Sequence, residues 1–262
     1  MNVSLILCSW KRPHLLELGL WSLTQQKIEH NLEIIICNDY LPDETEHICE
    51  QYSNELNIKY VFTGKRNLNE IKWRSAGYAL NIGVKQSSGD IIILSCPEIV
   101  HLNNTINLIT EPLLNNKNIM TIGQEVWFDD TGNTIDFLQK YRTLELPDNL
   151  LKEISSDPEC KYAVQMPYCM GLWKQQYTDI GGYDEQDIIG YAGEDNDFTD
   201  RLKLKGLKYF RTEAKIVHLF HGKRCDSKAH PENPLWLANF NIFGQRKGQI
   251  IRNTNKEWGV LE

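Results

Sequence analysis

Apolar residues run almost unbroken from Val3 to Cys8, and β-rich apolar runs recur at Glu33–Cys37, Ile58–Phe62 and Ile91–Leu94. Helical periodicity fills the gaps: His14 to about Gln25, a stretch ending near Glu55, and Ala76 to Gln86, which Ser87-Ser88-Gly89 closes. Strands alternating with helices predict an α/β fold with a mostly parallel central sheet flanked by helices. Strands without polar alternation fit a sheet covered on both faces. Further on, His101 to Leu114 reads as a helix, Met120–Gly123 as a strand, and Lys208–Val217 as a strand or loop returning to the sheet. Between Glu125 and Gln165 the pattern weakens, and Trp127, Phe128, Phe137 and Tyr141 are scattered through polar sequence. Trp236, Phe240 and Phe243 then share one helix face.

In such a sheet, ligands bind beyond the carboxyl ends of the strands. Three strands here end in polar clusters, Ser9-Trp10-Lys11-Arg12, Asn38-Asp39 and Ser95-Cys96-Pro97-Glu98, which would line one crevice. The chain has no G-x-G-x-x-G and no G-x-x-x-x-G-K-[ST], which argues against dinucleotide and P-loop chemistry. An aromatic ring at Trp10 and an acid at Asp39 suit a nucleobase and its polar edge, although an acid after a strand is also a common turn residue.

A second cluster lies in Gly190-Tyr-Ala-Gly-Glu-Asp-Asn-Asp-Phe198. A glycine turn leads into a helical pattern that starts with Glu194 and Asp195. Carboxylates in a first helical turn sit near the positive end of the helix dipole, which favours the ionised form a proton acceptor needs. The plainer reading is a helix cap.

Composition narrows the picture. The chain has 262 residues, 41% hydrophobic and 24% charged, enough to bury a core as one large domain or two closely joined halves. A net charge of −7 argues against a nucleic-acid backbone as main partner. No apolar run approaches the roughly 20 residues that span a bilayer. The N-terminus lacks a basic region ahead of its apolar run and reads as a strand. Seven cysteines without a C-x-x-C pair read as reduced thiols of a cytoplasmic protein, not a cysteine zinc site.

The opening run Val3–Arg12, the strand ending Ile34-Ile-Ile-Cys-Asn-Asp39 and the Asp43-x-Thr45 after it resemble glycosyltransferase family 2, with the GT-A fold. The likeness extends over about residues 2–225 and is strongest at 3–45 and 179–202. It implies an inverting transfer of a sugar from a nucleotide-sugar, UDP-linked by default, to a hydroxyl acceptor. Asp39 would contact the base, flanked by Cys8, Ser9 and Trp10, with Arg12 alongside. Asn38 stands where the family usually has a first aspartate. Arg74 and Asn81 resemble the positions near the diphosphate, and Gly171, in Met170-Gly-Leu-Trp-Lys174, is counted with the donor site. The family's Asp-x-Asp metal motif is replaced by Ser95-Cys96-Pro97-Glu98, so Glu98 alone would supply a carboxylate to Mn²⁺ or Mg²⁺.

Asp179-Ile-Gly-Gly-Tyr-Asp-Glu185, then Gly193-Glu-Asp-Asn-Asp-Phe198 and Arg201-Leu202, resemble the family's acceptor-side signature. Resemblance makes Asp195 the catalytic base and gives Glu194 a supporting role. A sugar hydroxyl becomes nucleophilic when a carboxylate takes its proton. The leaving diphosphate needs a divalent ion or fixed cations. By the same resemblance a histidine completes the metal shell, His218 first and His221 in reserve. Lys223 and Arg224 suit the diphosphate by charge-assisted hydrogen bonds, or form a solvated basic turn.

These readings divide the chain into a GT-A domain at 1–225, with a nucleotide-sugar half at 1–100 and an acceptor half at 101–225, and a helical extension at 226–262 packed on it. Arg246–Arg252 is a short basic run that would suit an anionic surface. The acceptor is left open among carbohydrate, lipid-linked sugar, protein and modified nucleic-acid base. Two rivals remain: a nucleotide-sugar binder that has lost catalysis, and a sugar-1-phosphate nucleotidyltransferase. The retained Glu194-Asp195 pair speaks against the first. The absence of glycine in Ser9-Trp-Lys-Arg-Pro13 speaks against the second.

Overall fold

A computed structural model describes residues 1–68, 76–129, 131–154, 167–187, 193–222 and 234–261. The first part is a repeating β/α unit: β1 (Asn2–Ser9), α1 (Pro13–Thr24), β2 (Asn31–Asn38), α2 (Thr45–Tyr52), β3 (Ile58–Phe62), α3 (Gly77–Gln86) and β4 (Ile91–Ser95). The second part comprises β5 (Ile99–His101), α4 (Thr105–Asn115), β6 (Ile119–Phe128), α5 (Asn133–Tyr141), α6 (Asp148–Glu153), β7 (Cys169–Trp173), α7 (Lys174–Asp179), α8 (Glu194–Leu204), β8 (Lys208–His218) and α9 (Pro234–Gln245). Among the described residues, these eight strands form one sheet, ordered β3-β2-β1-β4-β7-β6-β8-β5. The pairs among β1 to β4 are parallel, as is β6 with β8, whereas β7 runs antiparallel to both β4 and β6, and β5 to β8.

The unbroken apolar runs are explained by alternation across two covered faces. Leu5, Leu7, Ile34, Ile36, Ile91 and Ile93 point to one side, against Leu16 and Leu20 of α1 and Ile106 and Ile109 of α4. Ile6, Ile35, Ile92 and Leu94 point to the other, against Leu80 of α3, Tyr177 of α7, and Phe198 and Leu202 of α8. Each such side chain, fully buried, contributes about 1.5–3 kcal/mol. These two layers fix where the strand ends lie, and hence where the site forms.

The helix expected over His101–Leu114 begins later. His101 is the last residue of β5, paired opposite Ile216 of β8, and only from Thr105 does the helix start. Three-residue strands carry too little period to be read from sequence. The strand expected at Met120–Gly123 extends to Phe128, through a register irregularity between Gly123 and Glu125.

After α9 the chain returns beneath α8. Arg252 is buried and donates to Asp197 Oδ1 at 2.6 Å, with Asp184 Oδ2 at 3.2 Å from its Nε. Arg246 pairs with Asp184 and Asp187. The basic run expected to face an anionic surface thus turns two of its charges inward. Arg201 of α8 is buried too, with Nε donating to Asp197 Oδ2 at 2.7 Å. Among the described residues no helix is long and apolar enough to cross a membrane, and no cysteine forms a disulfide.

Candidate active site

A cleft of about 260 Å³ opens at the carboxyl ends of β1, β2 and β4. Cys8, Trp10 and Arg12 line it from the end of β1, and Asp39 from the end of β2. Ser95, Cys96, Pro97 and Glu98 follow β4, and Ala76 and Leu80 come from α3. Pro167 and Tyr168 precede β7, and Glu194 and Asp195 open α8. The three strand-end clusters and the carboxylate pair, almost 190 residues apart in sequence, share one space.

The β1–α1 turn is tight: Lys11 takes a left-handed φ of 59°, rare for a residue with a side chain. Pro13 starts α1 with the φ a first helical turn requires. Trp10 leans on Tyr40, with ring centroids 5.1 Å apart, and Lys11 Nζ lies 4.6 Å over the same Tyr40 ring. Asp39 is buried, and Thr63 Oγ1 donates to its Oδ1 at 3.0 Å.

Alternation along the strands sorts the remaining donor-site candidates. Ser9 is fully buried on the face opposite Cys8 and Trp10. Asn38 points away from the cleft: its amide donates to Asp43 Oδ1 at 3.0 Å and to the Leu41 carbonyl at 3.3 Å, and its Oδ1 accepts from the Tyr40 N–H. It shapes the turn that presents Asp39. Asn81 is likewise structural. Its Nδ2 donates to the Tyr183 carbonyl at 3.0 Å and its Oδ1 accepts from the Tyr183 N–H at 2.9 Å. Gly171 lies inside β7, where an added Cβ would come within 2.6 Å of Ile109 and Thr121, so its smallness serves packing and not a ligand. Arg74, Lys223 and Arg224 lie outside the described residues.

Glu98 is buried, with three basic groups around one oxygen. Arg12 donates to Oε1 at 2.7 Å, while His218 Nε2 and His221 Nε2 stand 3.4 and 3.6 Å from it. Burial raises the carboxyl, but the His218 hydrogen bond and the charges of Arg12, His218 and His221 outweigh it and bring it down to about 2. Burial, with the Arg12 charge, brings His221 down to about 4, leaving a neutral imidazole with a lone pair to offer. One ligand atom from each of Glu98, His218 and His221 lies within 4.8 Å of the others. Glu98 Oε2 is enclosed and has no hydrogen-bond partner. A carboxylate with a spare buried oxygen and two imidazoles is a donor set that fits a divalent cation. Its nitrogen content suits Mn²⁺ better than Mg²⁺, which prefers oxygens and water. Both histidines, and not one of the two, converge on Glu98. They do so because β8 ends opposite the β4–β5 turn, where the Leu219 N–H meets the Glu98 carbonyl.

Across the cleft, Gly193 begins α8 with a left-handed φ of 88°, a conformation that suits glycine. It delivers Glu194 and Asp195 into the first turn. Burial pushes both carboxyls above the usual range, and the neighbouring Asp195 charge pushes Glu194 further. Glu194 Oε2 is enclosed and unpartnered. Asp195 Oδ1 accepts from the Tyr183 hydroxyl at 2.9 Å, which works against its rise. Sequence reading did not single out Tyr183 or Tyr168. Tyr168 lines the cleft and stands edge-on to His218, 5.3 Å between ring centroids. Tyr183 lies within the Asp179–Glu185 stretch of the acceptor-side resemblance, without a role of its own there, and no pattern marks Tyr168.

An α/β sheet with a cleft beyond its strand ends, an acid after β2 and a carboxylate pair on a helix start fits the GT-A type of fold. Residues 4–174 match the model of "Glycosyl transferase family 2", and residues 154–224 match that of the "N-terminal domain of galactosyltransferase". The chain belongs to glycosyl transferase family 2. It is 23% identical over 244 residues to chondroitin synthase of Escherichia coli, covering 80% of this chain and 33% of that protein. S. aureus TarS 1–349 in complex with UDP-GlcNAc superposes with a TM-score of 0.57 and 18% identity, over 86% of this chain and 60% of that one. The mannosyltransferase PcManGT from Pyrobaculum calidifontis, in complex with GDP-Man and Mn²⁺, gives a TM-score of 0.61 at 12% identity, over 93% of this chain and 64% of that one. The structural likenesses carry the fold. The chain spans about a third of the length of its chondroitin synthase relative.

Proposed function

We propose that this chain transfers a single glycosyl group, with inversion, from a UDP-linked sugar to a hydroxyl acceptor. The observation that carries the reading is the shared cleft: Glu98 with its two histidines on one wall, the Glu194–Asp195 pair on the other. Asp39 and Trp10 would receive the base, as a buried acid beside an aromatic ring suits a uracil edge and face. Glu98, His218 and His221 would hold Mn²⁺, which when bound neutralises charge on the departing diphosphate. Asp195 takes the proton of the acceptor hydroxyl as its oxygen attacks the anomeric carbon. The bond to the diphosphate breaks on the opposite side, so configuration inverts. Glu194, enclosed and kept protonated by burial and by Asp195, holds the pair to one negative charge. A relative solved with UDP-GlcNAc and another solved with GDP-Man and Mn²⁺ support nucleotide-sugar use.

The test is nucleotide release by purified protein from UDP-, GDP- and dTDP-sugars, with Mn²⁺ or EDTA. Release of UDP that EDTA suppresses and Asp195→Asn abolishes supports the reading. Release unaffected by Asp195→Asn would overturn the base, and pyrophosphate as product would overturn glycosyl transfer.

A further inference from the structure

Tyr183 is more tightly constrained than a packing residue requires. Its ring is fully buried and stacks on Phe198, with centroids 4.3 Å apart and planes 9° from parallel. Phe198 lies on α8, one turn beyond Asp195. Asn81 clamps the Tyr183 backbone on both sides, and Asn253 Nδ2 adds a bond to its carbonyl at 2.7 Å. On α3, Gly77 leaves the room: a Cβ there would come within 2.6 Å of the Tyr183 ring. Every constraint sets the direction of one hydroxyl, and that hydroxyl donates to Asp195 Oδ1 at 2.9 Å.

We propose that Tyr183 is a positioning residue for Asp195, fixing one oxygen of the carboxylate so that its remaining lone pairs meet the acceptor hydroxyl. This rests on Asp195 being the base. In the step, the acceptor O–H bond breaks and its proton goes to Asp195. The acceptor oxygen bonds the anomeric carbon, and the electron pair of the broken glycosyl bond leaves on the diphosphate. Tyr183 keeps its own proton throughout. Burial, together with the adjacent Asp195 charge, raises its phenol well above the usual tyrosine range, so it remains a donor at any working pH.

The groups facing Asp195 come from several elements: Glu194 on its own helix, Tyr183 on the preceding loop, Cys96 after β4 and Tyr209 on β8, with Arg12 and Glu98 lining the same cleft. Among them Tyr183 donates a hydrogen bond to Asp195 through its side chain and carries no charge of its own.

Tyr183→Phe keeps the ring and its stack but removes the donor. The expected result is a fall in kcat of about tenfold to a hundredfold, with the donor KM changed less than about threefold. The acid limb of the kcat profile should also move up by about one pH unit, the size expected when a carboxylate loses a charged hydrogen bond. The limb position does not depend on the folded fraction, so a weakened variant still reports. A wild-type limb and kcat in Tyr183→Phe would overturn the proposal. Asp195→Asn, assayed alongside, separates the two claims: if it retains turnover, the base itself is wrong; if it is inactive while Tyr183→Phe is normal, only the positioning role fails.

Discussion

Arg12 donates to Glu98 Oε1 at 2.7 Å, and this is the same oxygen that faces His218 and His221. A fixed cation at that distance competes with any metal for the carboxylate. Replacing Arg12 with Gln should therefore tighten Mn²⁺ binding to the nucleotide-free protein by about threefold to tenfold. Titration followed by electron paramagnetic resonance of free Mn²⁺ measures this directly. Unchanged or weaker binding would mean that Arg12 does not oppose the metal.

The two histidines make an independent prediction. His218→Ala and His221→Ala should each weaken Mn²⁺ binding by at least about tenfold, since removing even an outer-shell partner costs that much. If only one variant does so, the set has two protein ligands and not three. Calorimetric titration would distinguish the cases.

Glu194 should cost the fold stability at neutral pH. Its carboxyl is raised by burial and by Asp195. An acid with a raised folded value contributes fully below its unfolded value, and that contribution is lost as pH rises through the folded one. Glu194→Gln removes the loss. The variant should gain at least about 1 kcal/mol over the parent at about pH 8, a rise in Tm of about 2–4 °C, and little at about pH 4. Thermal melts at the two pH values read the difference. An equal effect at both would show that the charge is not the cause.

Arg252→Met should be strongly destabilising. It leaves Asp184 and Asp197 buried beside fewer cations, and breaking a buried pair costs about 3–5 kcal/mol. Denaturant unfolding measures the loss. A change below about 1 kcal/mol would show that Arg201 and Arg246 compensate alone.

What could be read in the sequence followed from local order. Val3–Cys8 and its companions carry a period that names a doubly covered sheet, and Asp39, Glu98 and Asp195 sit where strand or helix ends announce them. What escaped depends on partners far along the chain. Asn38 and Asp39 are adjacent, yet strand alternation sends one into the turn and the other into the cleft. Asn81 resembles a diphosphate contact until its amide is found on Tyr183, 102 residues away. Gly171 became a packing residue only once β7 was set between β4 and β6. Arg252 reaches Asp197 across 55 residues, and no local pattern signals such a bond.

The buried set of Asp184, Asp197, Arg201 and Arg252 also bears on how sequences of this type can drift. Asp197 is two positions from Asp195, and its charge is answered partly from the tail. Losing either member leaves the other buried with one partner fewer, Asp197 with Arg201 alone and Arg252 with Asp184 alone, which favours change of the two sites in concert. Descendants that keep an aspartate at the fourth position of α8 should keep a tail arginine with it. Those that replace it with an apolar residue should show the arginine replaced as well, giving a covariation by which the reach of the tail could be traced across divergent lineages.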